Sequence, residues 1–152
     1  MSKEIERKFL VRDSSYRNIA VAQKSIAQGY LSTDPDATVR VRISDDKAYL
    51  TVKSRNKGAT RNEWEYPISP IDARQMLEAC SKSRIIEKTR YIVPGSNGLK
   101  WEIDEFHGVL EGLVLAEIEL PTEDAPFDIP EFIDREVTGD PKYYNSSLAT
   151  SV

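Results

Sequence analysis

The sequence predicts one mainly-β domain, an α+β arrangement of seven or eight mostly antiparallel strands with a few helices. Three observations predict it. Short runs alternate apolar or β-branched residues with charged ones, the period-two signature of a strand with two unlike faces. Polar, Gly- and Pro-containing turns separate these runs at short intervals. No linker or shift in composition divides the 152 residues, a length that fits a single domain over 1–152.

The elements follow in order. Residues 4–10 (EIERKFL) form a strand with Glu4, Glu6 and Lys8 on one face and Ile5, Arg7 and Phe9 on the other. Asp13-Ser14-Ser15 reads as a helix start or a turn, followed by a weak helical or irregular segment to about Lys24. Residues 25–32 (SIAQGYLS) are strand-like, and 33–36 (TDPD) make a turn. Residues 38–43 (TVRVRI) alternate strictly, Ser44-Asp45-Asp46-Lys47 is a hairpin loop, and 48–55 (AYLTVKSR) is the returning strand. A polar loop around Gly58 leads to a strand over 61–68 (RNEWEYPI). Ser69 as N-cap, Pro70 in the first turn and Asp72 near the N-terminus predict a helix to about Ser81. Ile71, Met76, Leu77 and Cys80 can share its apolar side. Strands over 85–93, 99–106 and 113–120 come next, separated by turns at 94–98 and at His107-Gly108. The acidic, proline-spaced stretch beyond Pro121 has short helical potential at 128–134, and Asp140 caps a last segment from Pro141 to about Thr150.

Composition narrows the function. The net charge of −4 comes from 21 basic and 25 acidic residues, without the basic excess of a nucleic-acid binder. Cys80, the one cysteine, cannot form an internal disulfide, which fits a reducing compartment, and its type suggests a small buried apolar residue. The first residues lack a signal-peptide pattern and no run approaches a membrane span of about 20 apolar residues. The expected location is the cytoplasm, with neither nucleic acid nor membrane as partner.

Charged residues recur at i and i+2 on seven strands: Glu4, Glu6 and Lys8; Arg40 and Arg42; Lys53 and Arg55; Arg61, Glu63 and Glu65; Lys88 and Arg90; Glu102 and Asp104; Glu117 and Glu119. A wet sheet face explains one such strand. It does not explain a set in which charge is so uniform and sign is segregated by strand. If the sheet closes into an eight-stranded barrel, that face lines the interior. Unpaired charges cannot sit in a dry core, so the interior would be a wet tunnel. Arginine and lysine suit phosphoryl oxygens, and Glu and Asp supply hard oxygen ligands for Mg²⁺ or Mn²⁺. Parity therefore leads to a metal-dependent binder, and a candidate hydrolase, of a phosphate chain. It does not choose the substrate.

The ordered set Glu-x-Glu-x-Lys (4–8), Arg-x-Arg (40–42), Lys53, Glu-x-Glu (63–65), Glu-Lys-Thr-Arg-Tyr (87–91), Glu-x-Asp (102–104) and Glu-x-Glu (117–119) resembles the CYTH superfamily, the triphosphate tunnel metalloenzymes. It is most similar to the short bacterial members of inorganic-triphosphatase type. The resemblance implies a closed eight-stranded antiparallel β-barrel that binds triphosphate with Mg²⁺ or Mn²⁺. By position it implies metal ligation by Glu4, Glu6, Glu117 and Glu119, with Glu63, Glu65, Glu102 and Asp104 as further acidic positions. It implies a triphosphate cradle of Lys8, Arg40, Arg42, Lys53, Arg61 and Arg90, and catalytic roles for Lys88 and Tyr30. The segment 142–145 (KYYN) resembles a small helix that plugs or borders the tunnel, and members of the family often form homodimers. His107 reads as a turn residue, and Trp64 and Trp101 as packing residues on the outward face.

The expected reaction is hydrolysis of inorganic tripolyphosphate to pyrophosphate and phosphate. Thiamine triphosphate and nucleoside triphosphates are alternative substrates of the same class. An adenylate cyclase and a non-catalytic polyphosphate-binding module are alternatives of other classes.

Overall fold

The computed structural model describes residues 2–150, so Met1, Ser151 and Val152 at the ends of the expected domain lie outside it. The alternating runs form β1 (Ser2–Val11), β2 (Ala22–Ser32), β3 (Thr38–Ser44), β4 (Lys47–Lys53), β5 (Thr60–Ile68), β6 (Ile86–Pro94), β7 (Lys100–Phe106) and β8 (Val114–Glu119). They pair antiparallel in the order β5-β4-β3-β2-β6-β7-β8-β1, and β1 pairs back onto β5. The sheet is thereby a closed eight-stranded barrel. Residues 2–5 of β1 lie opposite 60–63 of β5, and residues 6–10 opposite 115–119 of β8. A ninth strand, β9 (Ile133–Glu136), pairs with Phe9 and Val11 where β5 has left that edge. An uncovered stretch of β1 would present unpaired N–H and C=O groups, and β9 removes it.

The apolar core lies mainly outside the barrel wall. Trp101, Ile103, Ala116 and Ile118 project outward and are covered by Tyr16, Phe132 and Ile133. On another part of the wall, α1 (Pro70–Cys80) lays Ala73 and Leu77 over Val41 and Ala48. Burying a side chain such as Leu77 contributes about 1.5–3 kcal/mol. The helix starts as the sequence predicts, with Ser69 accepting from the Asp72 N–H at 3.0 Å. It lies so close to β2 that a Cβ added to Gly29 would stand 2.9 Å from Leu77 Cδ2. The hairpin at 44–47 places Asp45 at φ 53°, in the left-handed region that a tight turn requires.

A third cluster sits inside the barrel at one end. Tyr30, Ile86, Phe106 and Leu115 meet Tyr143, Leu148 and Ala149 from the C-terminal segment. That segment is a 3₁₀ turn (Pro141–Tyr143), capped by Asp140 accepting from the Lys142 N–H at 3.1 Å, followed by α2 (Asn145–Thr150). It closes this end of the lumen.

Four local expectations are corrected. Ile71 is 71% exposed and Cys80 is exposed, so the buried face of α1 is Ala73, Met76 and Leu77, not a stripe running through both ends of the helix. Residues 128–134 are not helical; the chain there is irregular, turns at 131–132 and enters β9, because pairing with β1 satisfies more backbone groups than one isolated helical turn. The helical segment after Asp13 is only a 3₁₀ turn (Ser15–Asn18), and β2 begins at Ala22 instead of Ser25. Among the described residues the strands number nine, one more than the seven or eight expected, and eight of them close the barrel as expected.

Candidate active site

Directly opposed residues of antiparallel neighbours point to the same face of a sheet. Around the barrel the register pairs Glu4 with Arg61, Glu6 with Glu119, Lys8 with Glu117, and Glu117 with Glu102. It continues through Arg90 with Asp104, Tyr30 with Arg40, Thr51 with Glu65 and Lys53 with Glu63. The parity agrees all the way round: every site residue expected from the sequence lies on the face opposite Trp101, Ile103 and Ile118, and that face is the lumen. Trp64 and Trp101 have the outward parity, as expected.

Depth orders the set. Glu4, Lys8, Arg40, Lys53, Lys88, Arg90, Asp104 and Glu117 are buried. Glu6, Arg42, Arg61, Glu63 and Glu102 are half-buried, while Glu65 and Glu119 are exposed at the rim. Charges this deep persist only when paired. Lys53 Nζ lies 2.9 Å from Glu4 and 3.8 Å from Glu63, and Arg61 Nε lies 3.5 Å from Glu4. Lys8 Nζ lies 3.5 Å from Glu117 and donates to the Tyr143 carbonyl at 2.9 Å. Asp104 accepts two hydrogen bonds from Arg90, at 2.8 and 2.9 Å, and lies 2.7 Å from Lys88 Nζ. Lys88 also stacks over the Phe106 ring at 5.2 Å and reaches Asn145 Oδ1 at 3.5 Å.

These contacts shift the titrations in opposite senses. Burial alone would raise Asp104, but Arg90 and Lys88 outweigh it and hold the carboxyl far below its usual range. Burial likewise opposes ionisation of Glu4, and Lys53 and Arg61 overcome it. Burial, with Arg90 and Arg42 nearby, brings Lys88 down to about 7 although Asp104 works the other way.

Two groups of charges have no sufficient partner. Glu6 is raised to about 8, first by burial and then by the Glu117 and Glu4 carboxylates. Glu63 and Glu119 are also raised, by burial and by neighbouring acids, Glu4 in both cases. On the basic side, Arg42 has no carboxylate contact among the described residues; burial and then Arg40 and Arg90 pull it down to about 9. One wall is thus short of cations and the other short of anions. Among the described residues no three His, Cys, Asp or Glu side chains are gathered closely enough to hold a metal ion alone. The donor set still fits a hard divalent ion, because Mg²⁺ is typically held by one or two carboxylates together with substrate phosphates, not by an all-protein cage.

Several lumen residues escaped the sequence reading because they carry no charge. Gln28 and Thr51 lie on the inner face opposite Arg42 and Arg40, and both are buried. Thr38 is buried opposite Lys53. Asn145 belongs to the 142–145 segment expected to plug or border the tunnel, and it reaches Lys88 from the closing end. Parity within β2, counted back from Tyr30, would have exposed Gln28. Arg55 lies outside the lumen, exposed and 2.5 Å from Asp36. His107 is the turn residue expected, its Nε2 2.8 Å from Thr89 Oγ1, followed by Gly108 at φ 68°.

The CYTH domain model matches residues 2–147. An inorganic triphosphatase of Acetivibrio thermocellus is 49% identical over 150 residues, covering 97% of this chain and 94% of that protein. An inorganic triphosphatase of Nitrosomonas europaea is 37% identical over 152 residues, covering 98% of both. A solved structure described as an inorganic triphosphatase superposes with a TM-score of 0.67 at 35% identity, covering 100% of this chain and 97% of its own.

Proposed function

The chain belongs to the CYTH domain family, and on that premise we propose that it hydrolyses inorganic tripolyphosphate to pyrophosphate and phosphate inside its barrel, as one tunnel domain over 1–152. The observation that supports this most is the pair of opposed deficits in the lumen. Acids that repel one another, Glu6 with Glu117 and Glu4, face a wall whose Arg42 makes no ion pair among the described residues. A metal–polyphosphate chain offsets both.

Glu4, Glu6, Glu117 and Glu119 would hold the metal, Mg²⁺ or Mn²⁺, with Glu63, Glu65, Glu102 and Asp104 ligating it or orienting its water. When bound, the ion supplies charge neutralisation and polarisation of the phosphoryl group. Lys8, Arg40, Arg42, Lys53, Arg61 and Arg90 bind the chain, and the ion pairs they make with lumen acids open as phosphate oxygens replace carboxylates. Hydrolysis forms one bond, from a water oxygen to the terminal phosphorus, and breaks the bridging P–O bond to pyrophosphate. Lys88, 2.7 Å from Asp104, would donate from Nζ toward the departing oxygen, and Tyr30, opposite Arg40 on the lumen face, would supply a second donor. The lumen holds these donors in place before substrate arrives, which is the main catalytic contribution in phosphoryl transfer.

We place the enzyme in the cytoplasm, acting on a small triphosphate without nucleic acid or membrane, and in a homodimer as is common in the family. Purified protein given tripolyphosphate and Mg²⁺ or Mn²⁺ is expected to release phosphate and pyrophosphate in equal amounts, and to stop when the metal is chelated. Metal-dependent binding of tripolyphosphate without turnover would reassign it as a binding module. Cyclic AMP as the main product from ATP would reassign it as a cyclase.

A further inference from the structure

Two buried donors in the lumen have no acceptor. Gln28 Nε2 and Arg40 Nε are shielded from solvent and make no hydrogen bond among the described residues. Leaving a buried donor unpaired costs about 1–3 kcal/mol, so native proteins rarely do it without a reason. The two are diagonal neighbours on β2 and β3, since Gln28 lies opposite Arg42 and Tyr30 opposite Arg40. Gln28 is fully buried, and its Oε1 accepts from Arg42 Nε at 2.8 Å. This bond fixes the amide orientation: turned over, Nε2 would face another donor. The amide N–H pair is left without an acceptor, on the strand face that lines the lumen.

Nothing within the protein is fitted to that position. Arg40, Arg42, Lys88 and Arg90 already crowd this wall, and a further cation would add to the repulsion that lowers Arg42. A neutral amide supplies a hydrogen bond there without adding charge. What is missing is an acceptor carrying several oxygens and negative charge.

We propose that Gln28 is a substrate-binding residue: its Nε2 donates to a non-bridging oxygen of the phosphate chain, next to Arg40 Nε, while its Oε1 holds Arg42 in line for the same chain. The inference rests on the triphosphatase reading for the identity of the ligand. A purely structural role would be satisfied by the Arg42 contact alone, and the two roles separate by substitution. Gln28→Glu keeps an oxygen for Arg42 but replaces the donor with a negative charge. Gln28→Met keeps the length and removes both polar functions.

The test measures KM and kcat for tripolyphosphate, together with the rise in Tm that tripolyphosphate produces without metal. Gln28→Met is expected to raise KM about 10- to 100-fold, the usual range for a hydrogen bond to a charged group, with a smaller change in kcat. Gln28→Glu is expected to bind more weakly still. Both variants should lose most of the tripolyphosphate-induced rise in Tm, and the ligand-free Tm of each serves as the folding control, since Gln28→Met removes one unpaired donor but also the acceptor of Arg42 Nε. Wild-type KM and a wild-type rise in Tm in Gln28→Glu would show that Gln28 only anchors Arg42, and would overturn the proposal. Should the wild type bind tripolyphosphate without hydrolysing it, the triphosphatase reading fails, and the Tm comparison still decides the role of Gln28.

Discussion

Glu6→Gln is expected to cut metal-dependent turnover by at least about 100-fold, the scale of loss when a preorganised catalytic charge is removed, and to stabilise the ligand-free protein at the same time. The two effects have one cause. Glu6 faces Glu119 across the β1–β8 ladder and is raised by burial and by Glu117 and Glu4, so in the absence of a cation its charge is unfavourable. An amide of the same shape removes the repulsion. Relief of about 1 kcal/mol would raise Tm by roughly 2–4 °C in a domain of this size. Glu4→Gln and Glu119→Gln should show a comparable loss of activity. Glu4→Gln should not share the gain in stability, because Glu4 is the partner of both Lys53 and Arg61. Activity assays and thermal melts on the three variants check this. Near-normal rates in all of them would remove the acidic wall from the mechanism.

Lys88→Ala is expected to lower kcat by about 100- to 1000-fold while changing KM much less, the pattern of a contact that matters in the transition state. Lys88 is deeper than the other cationic side chains, with 0% of its side chain exposed, and it sits between Asp104 and the Phe106 ring. Its removal leaves Asp104 bonded twice to Arg90, so the variant does not strand a buried carboxylate. Steady-state kinetics with a melting curve as folding control are sufficient. A raised KM with kcat intact would place Lys88 in the cradle and leave proton donation to Tyr30.

Much of this site was legible because a strand has period two. Once Glu4, Glu6 and Lys8 share a face, the same parity on the other strands assembles the whole charged wall, and barrel closure turns it inward. Three kinds of fact were not legible. Uncharged lumen residues such as Gln28 and Thr51 carry no signal until the strand register is known. The pairing of Lys53 with Glu4 across β5, and of Lys8 with the Tyr143 carbonyl, depends on three-dimensional closure and not on any local pattern. Finally, the assignment of Ile71 and Cys80 to the buried side of α1 failed at the helix ends, where both are exposed, while the central Ala73, Met76 and Leu77 pack on the barrel wall.

The central claim is that the acidic wall and the basic wall are halves of one site, joined by a metal–polyphosphate chain. It is tested most directly by titrating Mn²⁺ into the protein with and without tripolyphosphate, following free Mn²⁺ by its paramagnetic resonance signal, in the wild type and in Arg42→Ala. Tripolyphosphate is expected to tighten Mn²⁺ binding to the wild type beyond its own affinity for the ion, and Arg42→Ala is expected to lose that gain although Arg42 is not an acid. Mn²⁺ binding that is the same with and without tripolyphosphate, or a gain that Arg42→Ala leaves intact, would contradict it.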